Sequence, residues 1–502
     1  MKSSSLFDLI HSLSKHEKGY FRKFTRIYSS EGEKNYIELF DYIDRMEVYD
    51  ERVIRSRFKN TTWISHLPVL KKYLFAQILK SLELYQRAGK KDEQTIFRQV
   101  DILIARGMFR EAASLLNEGV RIAQETENYH ALLSACDRER TLVIHLYPAL
   151  RHGEKFSEVY DKQSKLIAAI QSIMHIKRVS DWLLNTYHHR RIVRDEETMA
   201  EIEAYVSGNL LPVIYSNPSL AYRHIALSAA MIYCSIKGDE VQLHHYAGQH
   251  LDLVLQHELY FRPRYMQAMS VYFNYLSACI GIKAFDEFEE RIVLLEGAMT
   301  SNGIAGKAHK FKLLYDLYFT CIKARQAYDM FPHYLKKFEK EFKYYSAHLP
   351  AHDLFVLASK VAHLLFTNRR IEEAADWTAY CISLDCDDIN EYARVQLRLL
   401  DIILHYELGH YRLIESKLLS IRRYLNGKKI LYRTEKTMIS YLKLLIKASS
   451  DTRKAVIFGK FHEEISRIYA EHPTERVLID ELYLIPWSAA KAKAPGALVA
   501  SL

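Results

Sequence analysis

Glycine and proline are scarce in this chain. Its 502 residues include 17 Gly and 10 Pro, together about 5% of the sequence, where roughly 12% is usual. Sandwiches, barrels and propellers of antiparallel strands need a turn residue every few positions, so this scarcity argues against them. An apolar fraction of 49% and a charged fraction of 26% exclude wholesale disorder. We therefore expect an all-α protein.

Long hydrophobic runs are also lacking. The longest uncharged apolar run, 225–236, is shorter than the roughly 20 residues that span a bilayer. It predicts a buried helix and no membrane span. At the N-terminus, Asp8 and His11 interrupt the apolar stretch that a secretory signal would need.

Cysteine is sparse as well, and its spacing does not suggest a metal site. No two of the six cysteines form a CxxC pair, and Cys381 and Cys386 come closest to one. We interpret the cysteines as small buried residues of a reducing compartment and predict a cytoplasmic protein.

Motifs of catalysis and cofactor binding are missing from the sequence. The loop 303–307 has neither the glycine spacing nor the Ser/Thr of a phosphate-binding loop. Adjacent histidines such as His244 and His245 point about 100° apart on a helix, so such a pair does not chelate a metal. We expect no catalytic, metal-binding or cofactor-binding residues, and predict that the chain is not an enzyme.

A short turn motif recurs along the chain. One helix ends near Gly107, and the next begins with Phe109 and the small Ala112. The same pattern follows at 367–377 and 408–415. Weaker versions lie at Gly153, Asp195, Gly238, Gly281, Arg325 and Asp451. Successive positions are about 43 residues apart, which predicts stacked pairs of helices of 15–20 residues each.

The turns resemble those of the tetratricopeptide repeat. Gly107, Phe109 and Ala112 match that family's junction, and Gly409 with Tyr411 match it in part. The period is longer than that family's repeat of about 34 residues. The resemblance implies a right-handed superhelical array of antiparallel helical hairpins, an α-solenoid, and a role in binding proteins or peptides.

Residues 1–91 lie outside the period. Ser14 and Glu17 form a capping box that opens a helix through Tyr28, and three further helices are predicted before residue 87. This block is similar to the opening of bacterial helical-repeat proteins, a resemblance that implies no activity. We predict a small helical cap at 1–91, a repeat array at 92–485 and a flexible tail at 486–502.

Positive charge is concentrated at two ends of the chain. Residues 1–91 carry a net charge of +7 and residues 417–460 one of +10, while the whole chain carries only +9. The C-terminal basic residues recur at helical spacing, opposite an apolar stripe that includes Leu442. They form a candidate phosphate- or anion-binding face: Lys429, Arg433, Lys436, Lys443 and Lys447. A shorter secondary basic face lies in the N-terminal block: Lys15, Lys18, Arg22 and Arg26.

Two functions therefore remain open from the sequence. The first is a non-catalytic scaffold that binds a protein or peptide partner, with apolar and tyrosine anchors. The alternative is a nucleic-acid-binding or regulatory protein that uses its basic faces on phosphates. A solvated surface with no ligand would have the same charge pattern.

Overall fold

The computed structural model describes residues 5–28, 34–46, 49–87, 92–190, 193, 196–298, 304–384, 389, 391–428 and 430–493. Within these ranges the regular structure is helical and contains no strand, which confirms the all-α prediction. The chain divides into two compact units, one of residues 1–174 with 299–309 and one of residues 175–298 with 310–502.

The first unit begins with five helices. They are α1 (Ser5–Ser12), α2 (Lys15–Tyr28), α3 (Lys34–Asp44), α4 (Glu51–Arg57) and α5 (Leu67–Arg87). The predicted capping box opens α2, where the Ser14 N–H donates to Glu17 Oε2 at 2.7 Å and the Glu17 N–H to Ser14 Oγ at 3.3 Å. A core of their own, drawn from residues 6–78, holds these helices together.

Three more helices and a long one follow. They are α6 (Glu93–Ala105), α7 (Phe109–Glu125), α8 (Tyr129–Leu146) and α9 (His152–Arg190). The predicted hairpin turn at Gly153 is wrong, because Gly153 lies in the first turn of α9, a helix of 39 residues. No Gly or Pro follows in that helix to interrupt it. The predicted turn at Asp195 lies outside the described residues.

The second unit consists mainly of successive helical hairpins. Its helices before residue 326 are α10 (Glu196–Asn209), α11 (Leu220–Lys237), α12 (Glu240–Gln256), the short α13 (Glu258–Phe261), α14 (Tyr265–Gly281), α15 (Phe285–Gly297) and most of α16 (Ile304–Arg325). Those after it are α17 (Phe331–Tyr345), α18 (Ala351–Thr367), α19 (Ile371–Ser383), α20 (Glu391–Glu407), α21 (Tyr411–Gly427), α22 (Arg433–Ile446), α23 (Asp451–Glu471), α24 (Arg476–Glu481) and α25 (Leu484–Ala492). Most of the helices that follow one another in sequence pack on one another, as α11 does on α12, α18 on α19 and α20 on α21.

Seven turns between the described helices, two in the first unit and five in the second, share one geometry. A residue with left-handed backbone ends the helix, and the next N–H donates to the carbonyl five residues earlier at 2.8–3.0 Å. The left-handed residues are Gly107, Glu127, Gly238, Lys283, Gln326, Arg369 and Gly409. From 238 to 409 they are 40 to 45 residues apart, in agreement with the predicted period. Neighbouring helical pairs at this spacing make a helical-repeat architecture.

The last helix carries buried residues. Trp487 and Ser488 of α25 are buried, and Trp487 belongs to a core that begins at Phe311. The predicted boundary of a flexible tail, at residue 486, falls inside this helix because the indole packs among aromatic rings. Residues 494–502 lie outside the described residues.

Candidate functional site

Helix α22 carries most of the predicted anion-binding face. Arg433 and Lys436 are exposed, Lys443 is half-buried, and Lys447 is exposed where the helix ends. Within the described part of the chain, none of these four side chains lies within ion-pair distance of a carboxylate. Lys429 lies outside the described residues. The structure thus leaves four cations of the predicted face facing solvent or half-exposed, while binding to phosphate stays a prediction.

The N-terminus of α22 is capped by a residue from another part of the chain. The buried Glu475 accepts hydrogen bonds from the N–H of Arg433 at 3.1 Å and from the N–H and hydroxyl of Thr434 at 3.4 and 2.8 Å. The side chain of Tyr432, at the N-cap position, does not make the capping hydrogen bond. A carboxylate at this end also interacts favourably with the helix dipole. Sequence reasoning missed this contact because a cap 41 residues away leaves no local signal.

The secondary basic face on α2 has different surroundings. Lys18 lies 2.6 Å from Asp44, and the Arg22 guanidinium lies 2.8 Å from Asp41 and 3.1 Å from Asp44. Of the four predicted residues, Lys15 and Arg26 are exposed and take no part in these contacts. Two of the four charges are therefore already neutralised by carboxylates of α3.

The final helices lie against distant parts of the second unit. We call residues 473–492 the C-terminal segment. Its Trp487 donates from Nε1 to Glu407 Oε1 at 2.8 Å and contacts the rings of Tyr406, Phe458 and Phe461 at centroid distances of 5.2–6.2 Å. These residues belong to α20 and α23.

Glu481, near the middle of the C-terminal segment, makes two further contacts. Its carboxylate accepts from the hydroxyl of Tyr392 at 2.8 Å, and its carbonyl accepts from Lys323 at 3.3 Å. Tyr392 opens α20 and Lys323 lies near the end of α16. One short segment is therefore held by helices of several hairpins.

Side chains also join the first helices of successive hairpins to one another. Lys312 of α16 lies 5.3 Å from the ring of Phe273 on α14 and 3.7 Å from Asp353 on α18. Lys360 of α18 pairs with Asp316 of α16, and His363 of α18 bonds Gln396 of α20 at 3.1 Å. We call this set the first-helix ladder: Phe273, Lys312, Asp316, Asp353, Lys360, His363 and Gln396.

Of the two buried ionisable groups of the ladder, one is charged and the other is neutral. Burial alone would raise the pKa of Asp316, but the charges of Lys360 and Lys312 hold this pKa below its ordinary value. Burial lowers the pKa of His363 to about 4, with the nearby Lys323 acting in the same direction. His363 donates from Nδ1 to the Ser359 carbonyl at 2.6 Å, so the neutral ring accepts from Gln396 at Nε2. The ladder thus pairs its buried charge and keeps its histidine neutral.

Comparisons with known proteins found no similarity: no protein-family model, curated protein or solved structure matches this chain. Among the described residues, none of the helices is both long and apolar enough to cross a bilayer.

Proposed function

We propose that this chain is a non-catalytic helical-repeat scaffold of the tetratricopeptide-like type, which binds a protein partner along the first helices of its hairpins. The observation that carries the proposal is the first-helix ladder, because it links α14, α16, α18 and α20 side by side. A surface of this kind can hold an extended or helical partner over several repeats. We further propose a superhelical arrangement of the hairpins.

The exposed stripe of α14 is the proposed contact surface. It consists of the exposed Met266 and Ser270 and the half-buried Asn274 and Ser277, which lie at helical spacing on one face of the helix. Ser270 donates to the Met266 carbonyl of its own helix at 3.0 Å. A small side chain such as Ser270, whose hydroxyl already has an acceptor, lets another helix approach closely without leaving that hydroxyl unpaired.

The contacts that hold the C-terminal segment support the proposal. Helices of several hairpins hold it through a buried indole and through two glutamates, Glu407 and Glu481. We infer that a partner helix is held in the same manner, with an aromatic anchor between helices and a polar contact at the edge.

We also propose a cytoplasmic location, which agrees with the unpaired state of the cysteines. Five of them are free and buried thiols: Cys136, Cys234, Cys279, Cys321 and Cys381. Unpaired thiols are typical of a reducing compartment.

The experiment compares two serine substitutions in the full-length chain. Ser270→Arg places a bulky cation on the proposed surface. Ser416→Arg makes the same change on the exposed face of α21, a second helix, where the hydroxyl also bonds its own helix. Each variant is tagged, purified from its native cells after nuclease treatment, and checked for helicity by circular dichroism.

We expect wild type and Ser416→Arg to retain the same protein in stoichiometric amount, and Ser270→Arg to retain at least about tenfold less. Equal retention by both variants, or co-purifying material that nuclease removes, would show that this surface is not the binding site.

Nucleic acid is the second candidate partner, and a specific observation favours it. The cations of α22 stand without carboxylate partners in the described part of the chain, so they are available to phosphates. This function would use Arg433, Lys436, Lys443 and Lys447, and must weaken steeply with salt.

A further inference from the structure

Three helices of the second unit bring a histidine, a cysteine and a glutamate together. His244 lies on α12, Cys279 on α14 and Glu287 on α15. One nitrogen, one sulfur and one carboxylate oxygen of these residues all lie within 4.8 Å of one another. His244 is far in sequence from the other two residues, and α14 packs on both α12 and α15.

The hydrogen bonds within this cluster leave atoms that could coordinate a metal ion. His244 Nε2 is buried and lies 3.2 Å from Glu287 Oε2, yet it makes no hydrogen bond with the described residues. The other oxygen of Glu287 accepts a hydrogen bond from the hydroxyl of Tyr275. Tyr275 therefore fixes the carboxylate while its second oxygen remains directed toward the histidine.

This donor set suits a zinc ion. Imidazole nitrogen, thiolate sulfur and carboxylate oxygen are the ligands of zinc in proteins, at bond lengths of roughly 2.0–2.3 Å. Two ligands of a tetrahedral zinc ion are therefore about 3.3–3.8 Å apart. The 3.2 Å between His244 and Glu287 is close to that separation, and the widest pair must approach by about 1 Å.

We propose that His244, Cys279 and Glu287 bind one zinc ion, with water in the fourth position. The side chains of His244 and Glu287 are 23% and 39% exposed, so the site lies close to the protein surface. Tyr275 is a positioning residue, because it orients the carboxylate without touching the metal. The bound ion ties α12 to the hairpin of α14 and α15, and so links two successive repeats.

Binding transfers one proton to solvent. Cys279 is fully buried, and a metal ion binds the thiolate form of a cysteine. Zinc takes the thiolate, and the thiol proton leaves.

The test uses the full-length chain after removal of metal with a chelator. Cobalt(II) is titrated first, because a cobalt–thiolate bond gives a charge-transfer absorption band, and zinc is then used to displace it. The variants are Cys279→Ser and Glu287→Gln. The matched control is Cys381→Ser, which changes another buried thiol, one that faces the Phe355 carbonyl.

We expect one cobalt ion per chain, with the charge-transfer band present in wild type and in Cys381→Ser but absent in Cys279→Ser. Zinc should raise the melting temperature of wild type and not that of Glu287→Gln, a variant that keeps the shape of the side chain. The proposal is overturned if no stoichiometric metal binds. It is equally overturned if metal binding persists unchanged in both site variants, since other histidines would then hold the ion.

Discussion

Helices α2 and α22 each present a row of basic side chains, and the two rows have opposite surroundings. On α2, Lys18 and Arg22 are matched by Asp41 and Asp44 of the neighbouring α3. On α22, the corresponding cations have no carboxylate partner among the described residues, and the helix is instead capped at its N-terminus by Glu475.

The difference shows that a basic row has two distinct physical roles. Where carboxylates face the row, its charges hold two helices together and are not available to a ligand. Where they do not, the charges contribute little to folding and are open to anions. Three predictions test the N-terminal helices and α22 in turn, each in the full-length chain.

The largest expected effect belongs to the cap of α22. Glu475→Ala leaves two backbone N–H groups and the buried Thr434 hydroxyl without their acceptor, so we expect α22 to lose about 2 kcal/mol of stability. Hydrogen exchange of the amides in its first two turns measures this local opening. Glu471→Ala, an exposed glutamate nearby, is the control, and equal exchange in the two variants would contradict the capping role.

Lowering the pH is expected to have a medium effect on the stability of the N-terminal helices. Hydrogen bonds from Arg55 and Lys71 lower the pKa of Glu51 to about 2, below its ordinary 4.5. The contribution of this carboxylate is therefore complete above pH 4.5 and is lost as the pH falls toward 2. Because Glu51 is about a third exposed, we expect a loss of only about 1–2 kcal/mol.

Hydrogen exchange of α4 and α5 between pH 5 and about 2 measures that loss. Glu51→Gln should remove most of the pH dependence, whereas Glu38→Gln, a change at an exposed site on α3, should leave it intact. A dependence that survives in Glu51→Gln would assign the acid sensitivity to other carboxylates.

The smallest effect on folding, and the most direct comparison of the rows, comes from two matched pairs of substitutions. Each pair neutralises one Lys and one Arg: Lys436→Gln with Arg433→Gln on α22, and Lys18→Gln with Arg22→Gln on α2. We expect the α22 pair to change stability by less than about 0.5 kcal/mol. If nucleic acid is a ligand, this pair should reduce the slope of log affinity against log salt by about 2.

The α2 pair should behave in the opposite way. It should destabilise the N-terminal helices, as measured by hydrogen exchange, and leave the salt slope unchanged. If both pairs of substitutions alter the salt slope equally, Lys18 and Arg22 bind phosphate in spite of their ion pairs with the carboxylates of α3.

Local sequence patterns predicted many helix ends correctly. The capping box at Ser14 and Glu17 opens α2, and Gly107, Gly238 and Gly409 adopt the left-handed backbone that ends a helix. Other turns use residues with side chains in that conformation, such as Lys283 and Arg369. No glycine occupies the left-handed position itself at these turns, because a surrounding hairpin can impose a left-handed backbone on another residue at a cost of about 1 kcal/mol.

Most of the candidate sites could not be predicted in this way. The row on α22 follows from helical spacing alone, since positions three, four and seven residues apart share a face. The first-helix ladder and the cluster of His244, Cys279 and Glu287 do not, because their members lie on different helices. The adjacent His245 points away from His244 on the helix, whereas the partners of His244 in the cluster are 35 and 43 residues away.

The sequence by itself determined the helical class, the repeat of about 43 residues and the positions of the basic rows. These properties depend on few chain-breakers, on local hydrogen bonding and on a period of 3.6 residues, all of which are short-range. Tertiary structure decided which charges are neutralised, what caps α22 and where the C-terminal segment lies. Those outcomes depend on residues as far apart as Lys323 and Glu481, separated by 158 positions, which only packing brings within reach of one another.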